Sequence, residues 1–222
     1  LGIIAAAIML LLGMLGMSGM APFVFPVYYN SASAQSLSSL LSSLATLLVC
    51  APLAAPLAAK IGKKELSVIS CLGGAAIWIL CLIARPQNPM VFVAYYTVSY
   101  IGLGFFNYVV WAMITDVIDD AEVKNGVRED GTIYSVYSFA RKLGQALSSG
   151  MIGALMTAIG YTDAVALSPS SYPEVLEKIF DLSCLIPAGG LAAVALALIF
   201  IYPLNKARVE ANVAELKRRR EA

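Results

Sequence analysis

Five side chains able to bind a polar solute recur along one stretch of the chain: Tyr134, Ser138, Arg141, Gln145 and Ser148. Their spacings of 4, 3, 4 and 3 predict that all five share one face of an α-helix. Lys142 falls about 100° further round, beside Ser138, Gln145 and Ser149. The opposite side, through Leu143, Leu147, Ile152 and Leu155, is apolar. A helix facing lipid has no use for such a cationic stripe, whereas a helix lining a hydrated cavity does. Upstream, Asn107 and Trp111 lie four residues apart on one helical face. Aromatic faces stack on sugar rings, and an amide can bond two hydroxyls. Tyr95 and Tyr96, near the end of the same stretch, read as interface anchors.

These residues suggest binding rather than covalent chemistry. The 222 residues include no histidine, which excludes Ser/His/Asp and Cys/His catalysis. Cys50, Cys71, Cys81 and Cys184 all fall in apolar runs without a CxxC, so they read as small packing residues, not zinc ligands. No nucleophile–base pair or metal cluster gathers at one depth, and the chain does not read as an enzyme. A second group of charges, Asp116, Asp119, Asp120, Glu122, Lys124, Arg128, Glu129 and Asp130, occupies the stretch 116–130. Such groups can pair across neighbouring helix ends and separate when the helices do, which is gate chemistry. Taken singly, each is also an ordinary solvated charge.

The elements that must hold these residues are membrane helices. The chain is 59% hydrophobic and 13% charged, with a mean hydropathy of +0.79. That leaves too little polar surface for a soluble domain of this length. Runs long enough to cross a ~30 Å hydrocarbon core predict an all-α bundle of six spans, about 1–29, 36–59, 65–84, 90–115, 131–160 and 179–204. KIGKK (60–64), RPQNP (85–89), the charged stretch 116–130 and the turn cluster within 161–178 separate them. Gly13, Gly16, Gly19, Pro22 and Pro26 predict a bent first span, and Pro52 and Pro56 a bent second one. The chain opens at Leu1 inside an apolar stretch, with no basic flank or cleavage site, and reads as a fragment rather than a signal peptide.

Lysine and arginine predict orientation. Lys60, Lys63, Lys64, Lys124 and Arg128 share one side with the basic tail 205–222, whereas the opposite side has only Arg85 and Lys178. The positive-inside rule places the tail in the cytoplasm. Its sequence, KARVEANVAELKRRREA, predicts a short surface helix drawn to anionic lipid. No basic face interleaved with aromatics appears outside the tail, so nucleic acid is not an expected partner. Depth leaves two placements for Arg141 and Lys142. A fifth span starting near Gly131 sets them about 15 Å in, at the bilayer midplane. A span over 143–161 would leave them as juxtamembrane anchors.

Within this context, WAMITDVIDDAEVKNGVREDGTIYSVYSFARKLGQALSSG resembles the signature of the glycoside–pentoside–hexuronide:cation symporters of the major facilitator superfamily. Asp116, Asp119, Glu122, Gly126, Arg128 and Gly131 match the pattern. Asp120 stands where a tyrosine is usual, Thr115 where an alanine is, and Asp130 where a glutamate is. The resemblance implies that the chain is the C-terminal, three-plus-three half of a twelve-helix carrier in a bacterial inner membrane. The six-helix N-terminal half would be its partner. It implies transport of a sugar or glycoside coupled to Na⁺ or H⁺, with no covalent cofactor. Lys142 is then implied near the sugar and cation site, with Tyr137 and Ser138 approaching the sugar. Asn107 falls where the melibiose carrier has a substrate-contacting tryptophan. SFARKLGQAL and the closing IYPL look closer to glucuronide carriers, and Arg141 and Lys142 would suit a carboxylate. Substrate would thus meet Asn107, Trp111, Tyr137, Ser138, Arg141, Lys142 and Gln145, while Asp116, Asp119, Glu122 and Arg128 would help close the cytoplasmic side. The family's cation-binding acidic residues lie mainly on the half that this chain lacks. A non-transporting six-span protein, such as a channel subunit or scaffold, is the alternative.

Overall fold

The computed structural model describes residues 17–221, and every regular element among them is helical. Helix α1 (17–23) runs into a widened turn over Val24–Tyr28. There follow α2 (Ala32–Ile61), α3 (Lys63–Ala84), α4 (Pro89–Asn125), α5 (Asp130–Ala158), α6 (Pro173–Phe200) and the tail helix α7 (Lys206–Glu221). Among the described residues α2, α3, α4 and α6 are long and apolar enough to cross a membrane. At 29 residues α5 has the length, but its polar face dilutes its hydropathy. Most of the expected first span, with Gly13 and Gly16, lies outside the described residues.

The expected bends take the form of π-type turns. One contains Pro26, and the other, Thr46–Cys50, ends just before Pro52. Proline offers no N–H to the carbonyl one turn back, and a widened turn absorbs the mismatch.

Three helices form the packed centre. Helix α3 lies between α4 and α6, and small residues let the backbones approach. A Cβ on Gly102 would stand 2.4 Å from the Ser70 carbonyl oxygen of α3, so only glycine fits there. The Ser99 hydroxyl donates to the Gly74 carbonyl, 3.0 Å away across the same contact. Towards the end opposite the tail, Phe25, Trp78, Phe92, Tyr96 and Phe180 pack edge-on and tilted at ring separations of 5.5–6.0 Å, as in Phe25–Phe92 (5.5 Å) and Trp78–Tyr96 (5.9 Å). Tyr96 is therefore a core residue and not an interface anchor, because its helix turns that face onto Phe25 and Trp78. All four cysteines are free and buried, in keeping with a packing role.

Two boundaries differ from the expected ones in ways that matter. The fourth span does not end at 115: α4 continues unbroken through the acidic stretch to Asn125 and stops at Gly126, whose φ of +74° suits glycine. Nothing between 116 and 125 breaks a helix, and Ile118, like Ile114 just before the stretch, is buried. At 37 residues α4 is about 56 Å long, well beyond a hydrocarbon core, so its acidic end projects past it. Helix α6 begins at Pro173 rather than 179, with proline in the first turn, where its missing N–H costs nothing.

Candidate functional site

Helix α5 presents three faces. Tyr137, Ala140, Gly144, Ser148, Ile152 and Met156 are buried, and all but the first step follow every fourth residue. Such an i±4 ridge is the line along which obliquely crossing helices interlock. It meets α1 where Ile152 covers Gly19, whose Cβ would lie 2.3 Å from the Ile152 Cδ1. A second face, with Ser138, Lys142, Gln145 and Ser149, is exposed and polar. The third, with Phe139, Leu143 and Leu147, is exposed and apolar.

The predicted stripe is thus divided. Tyr134, Ser138 and Gln145 are open, Ser148 is buried, and Arg141 sits half-buried at the boundary. The apolar side is divided as well: Ile152 is inside, whereas Leu143 and Leu147 face out. A straight stripe cannot stay in register with an oblique crossing, and this separates them. The helix is continuous past Arg141 and Lys142, which lie about 16 Å along it from Asp130.

Trp111 of α4 joins the two helices at this level. Its indole stacks on Tyr134 at 6.4 Å and 27°, and meets Tyr137 edge-on at 5.3 Å. The Arg141 guanidinium lies 5.5 Å from the Trp111 ring centroid and 6.0 Å from that of Tyr137. These are cation–π distances. Tyr137 is 1% exposed, and its hydroxyl has no hydrogen-bond partner among the described residues. Asn107, half-buried, shares its face of α4 with Trp111 but has no hydrogen bond to α5 among the described residues. Of the predicted substrate residues, Trp111, Tyr137 and Arg141 meet one another, Ser138, Lys142 and Gln145 lie on the adjoining open face, and Asn107 stands apart.

The charges at the tail end form two separate arrangements. Arg128, in the connection between α4 and α5, donates to Asp119 and Glu122 at 2.8 Å and to Asp130 at 2.9 Å. Asp119 foremost, then Glu122 and Asp130, hold its guanidinium protonated well above its already high value. Arg220 of α7 reaches the same Glu122 at 3.5 Å. Asp116 faces elsewhere: buried against α3, it accepts from Lys63 at 2.6 and 2.8 Å. Asp120, at the position where the resemblance expected tyrosine, accepts from Arg208 at 3.2 Å and from Asn212 at 3.0 Å, and so ties α7 to α4. Of the four gate residues predicted, three cluster and Asp116 joins a different pair. Lys63, Arg208 and Asn212 were not anticipated. No helical spacing links them to their partners, which lie 53, 88 and 92 residues away.

The family model for MFS/sugar transport proteins matches residues 1–206. The chain belongs to that family. Among its relatives, a putative sulfoquinovose importer of Salmonella typhimurium is 30% identical over 73% of this chain and 33% of its own length. A glucuronide carrier protein homolog of Escherichia coli is 29% identical over 77% and 36%, and an uncharacterized symporter of Bacillus subtilis is 33% identical over 65% and 30%. The chain spans about a third of the length of these relatives. The resemblance to the glycoside–pentoside–hexuronide:cation symporters is borne out, and this MFS chain is an integral membrane protein whose relatives are named as transporters and not as enzymes.

Proposed function

We propose that the chain is the six-helix C-terminal half of a secondary transporter, and that the full-length protein carries a sugar or glycoside together with Na⁺ or H⁺. The observation that carries this reading is the placing of two cations midway along a continuous helix, beside an aromatic cluster. A cation at the middle of a spanning helix costs about 2.5–3.5 kcal/mol on insertion scales, and such residues mark solute paths. Family membership supports the same reading. In this mechanism Trp111 stacks on the sugar ring. Ser138, Gln145 and Asn107 bond hydroxyls, and Lys142 lies near the sugar and the coupling cation. The second six-helix half closes the other side of the site and supplies acidic ligands for the cation. Rocking of the two halves exposes the site alternately. The Arg128 cluster, on the cytoplasmic side of a bacterial inner membrane, holds the α4 and α5 ends together in one state. A glucuronide is a fitting substrate for the cationic pair.

Uptake of labelled sugars by cells expressing the full-length gene tests this. A glucuronide and an α-galactoside are compared with and without Na⁺, and across a pH step, beside a well-expressed Lys142→Ala variant. Cation-stimulated uptake that is lost in the variant is the expected result. Uptake that ignores both cations, or that survives Lys142→Ala, contradicts the coupling or the role of Lys142 respectively.

A further inference from the structure

Helices α3 and α6 run antiparallel, and their contacts keep one register along the pair. At the tail end the Lys64 ammonium donates to the Tyr202 carbonyl at 2.7 Å, just past the end of α6. Midway, a Cβ on Gly74 would stand 3.0 Å from the Leu191 Cδ1. At the far end Arg85 pairs with Glu177 and Asp181. Cys81 lies two turns beyond Gly74 towards that end, and Cys184 lies two turns from Leu191 in the same direction. Each cysteine therefore returns to the face and the level of a residue that already makes the contact. Counting from the other side gives the same answer, since Cys81 is about one turn short of Arg85 and Cys184 about one turn past Asp181.

The side chains agree with the register. Cys81 is 0% and Cys184 1% exposed, and the two thiols lie within hydrogen-bonding reach of each other. The other cysteines are placed differently. Cys50 donates to the Ile101 carbonyl of α4 at 3.4 Å, and Cys71 stands about 15 Å along α3 from Cys81. Two thiols opposed across a close helix contact are what a disulfide requires, because its sulfurs bridge Cα atoms less than about 7 Å apart. The exposed ion pair of Arg85 and Asp181 marks the watery edge of this end, and the thiols sit one turn inside it. Under the orientation predicted by the positive-inside rule, that edge faces the outer, oxidising compartment, where disulfides form and persist.

We propose that Cys81 and Cys184 are a disulfide site, a covalent staple between α3 and α6 that closes when the protein folds in an oxidising compartment. The oxidant is a protein disulfide of the thiol-oxidase class, acting before the two helices pack, because the packed pair is closed to water. One thiolate attacks a sulfur of that disulfide, breaking its S–S bond and forming a mixed disulfide. The second thiolate attacks the first cysteine's sulfur, which forms the cross-link and releases the oxidant as a dithiol. Two electrons and two protons pass to the oxidant. The closed loop of about a hundred residues contains α4 and α5, so the staple restricts the unfolded chain.

Mass spectrometry of the full-length protein tests the site. Membranes are quenched in acid, unfolded in detergent and alkylated with N-ethylmaleimide before digestion. The expected result is one linked peptide pair joining Cys81 to Cys184, with Cys50 and Cys71 alkylated. Reduction before alkylation should leave all four modified. Alkylated Cys81 and Cys184 without prior reduction, or a disulfide from either to another cysteine, overturns the proposal. Thermal unfolding gives a second reading. Dithiothreitol should lower the unfolding temperature of the parent by several degrees and leave Cys184→Ala unmoved, with Cys81→Ala in its place should that variant not fold. No drop in a parent whose mass confirms reduction, or an equal drop in the variant, contradicts the staple.

Discussion

The two charged regions of this chain follow opposite rules. At the tail end, Arg128 is shared by three carboxylates, Asp116 is closed by Lys63, and Asp120 is closed by Arg208 and Asn212. Midway along α5, Arg141 lies against the rings of Trp111 and Tyr137, with no carboxylate partner among the described residues. Pairing that is complete within the chain holds helices together and can be undone by their separation. A cation with no carboxylate beside it ties no helices together in that way. The difference teaches that charges of the same kind do different work according to the partners that the fold gives them.

The contrast can be broken first at Asp116. It accepts two bonds from Lys63 and is buried, so Asp116→Ala strands an ammonium that is only 31% exposed. A loss of about 2 kcal/mol is expected, read as a lower unfolding temperature in detergent. Asp116→Ala with Lys63→Met should recover most of it. A double variant as unstable as the single one would show that the pair is not what Asp116 contributes.

Trp111→Ala sharpens the other side of the contrast. Removing the indole leaves the Arg141 charge but not its cation–π contact, which is worth about 0.5–2 kcal/mol. Glucuronide binding to the full-length protein should weaken between about twofold and thirtyfold. Binding that does not change would mean that the ring contact contributes nothing to the site.

Arg128→Gln should loosen the ends of α4 and α5. In the full-length protein, a cysteine placed at Ser138 on a background free of other cysteines would then react several-fold faster with a maleimide. No acceleration would assign the cluster to stability rather than to closure. The smallest effect is expected at the tail: Asp120→Ala should speed tryptic cleavage after Arg208 a few-fold, the scale of exposed and half-exposed ion pairs. That difference should shrink at high salt, because screening weakens the remaining surface pairs that hold α7 in the parent protein.

Much of the fold was legible. Apolar run length and the loop chemistry of KIGKK and RPQNP placed α2 and α3 to within a few residues. Charge density misled at 116–125, because acidic residues do not end a helix when no glycine or proline intervenes. Within the candidate site, the spacings put Asn107 with Trp111, and Arg141 with Tyr134, Ser138, Gln145 and Ser148, each on one helix face, while Tyr137 came from the resemblance. They could not show that Tyr137 and Ser148 are buried while Ser138 and Lys142 are open, because that depends on how α5 crosses its neighbours. The motif drew attention to Asp116, Asp119, Glu122 and Arg128 as one group. Their one-dimensional proximity hid the fact that Asp116 points to α3 and the others to Arg128.

By itself, the sequence determined the membrane as solvent, the helical class and the family. These follow from composition, from run length against bilayer thickness, and from a local motif, all of which are properties of contiguous residues. The tertiary structure alone decided which charges find partners, since ion pairs such as Lys63–Asp116 and Arg208–Asp120 join residues far apart in the chain. It also decided that Arg141 lies against Trp111, a contact across two helices that neither helix specifies alone.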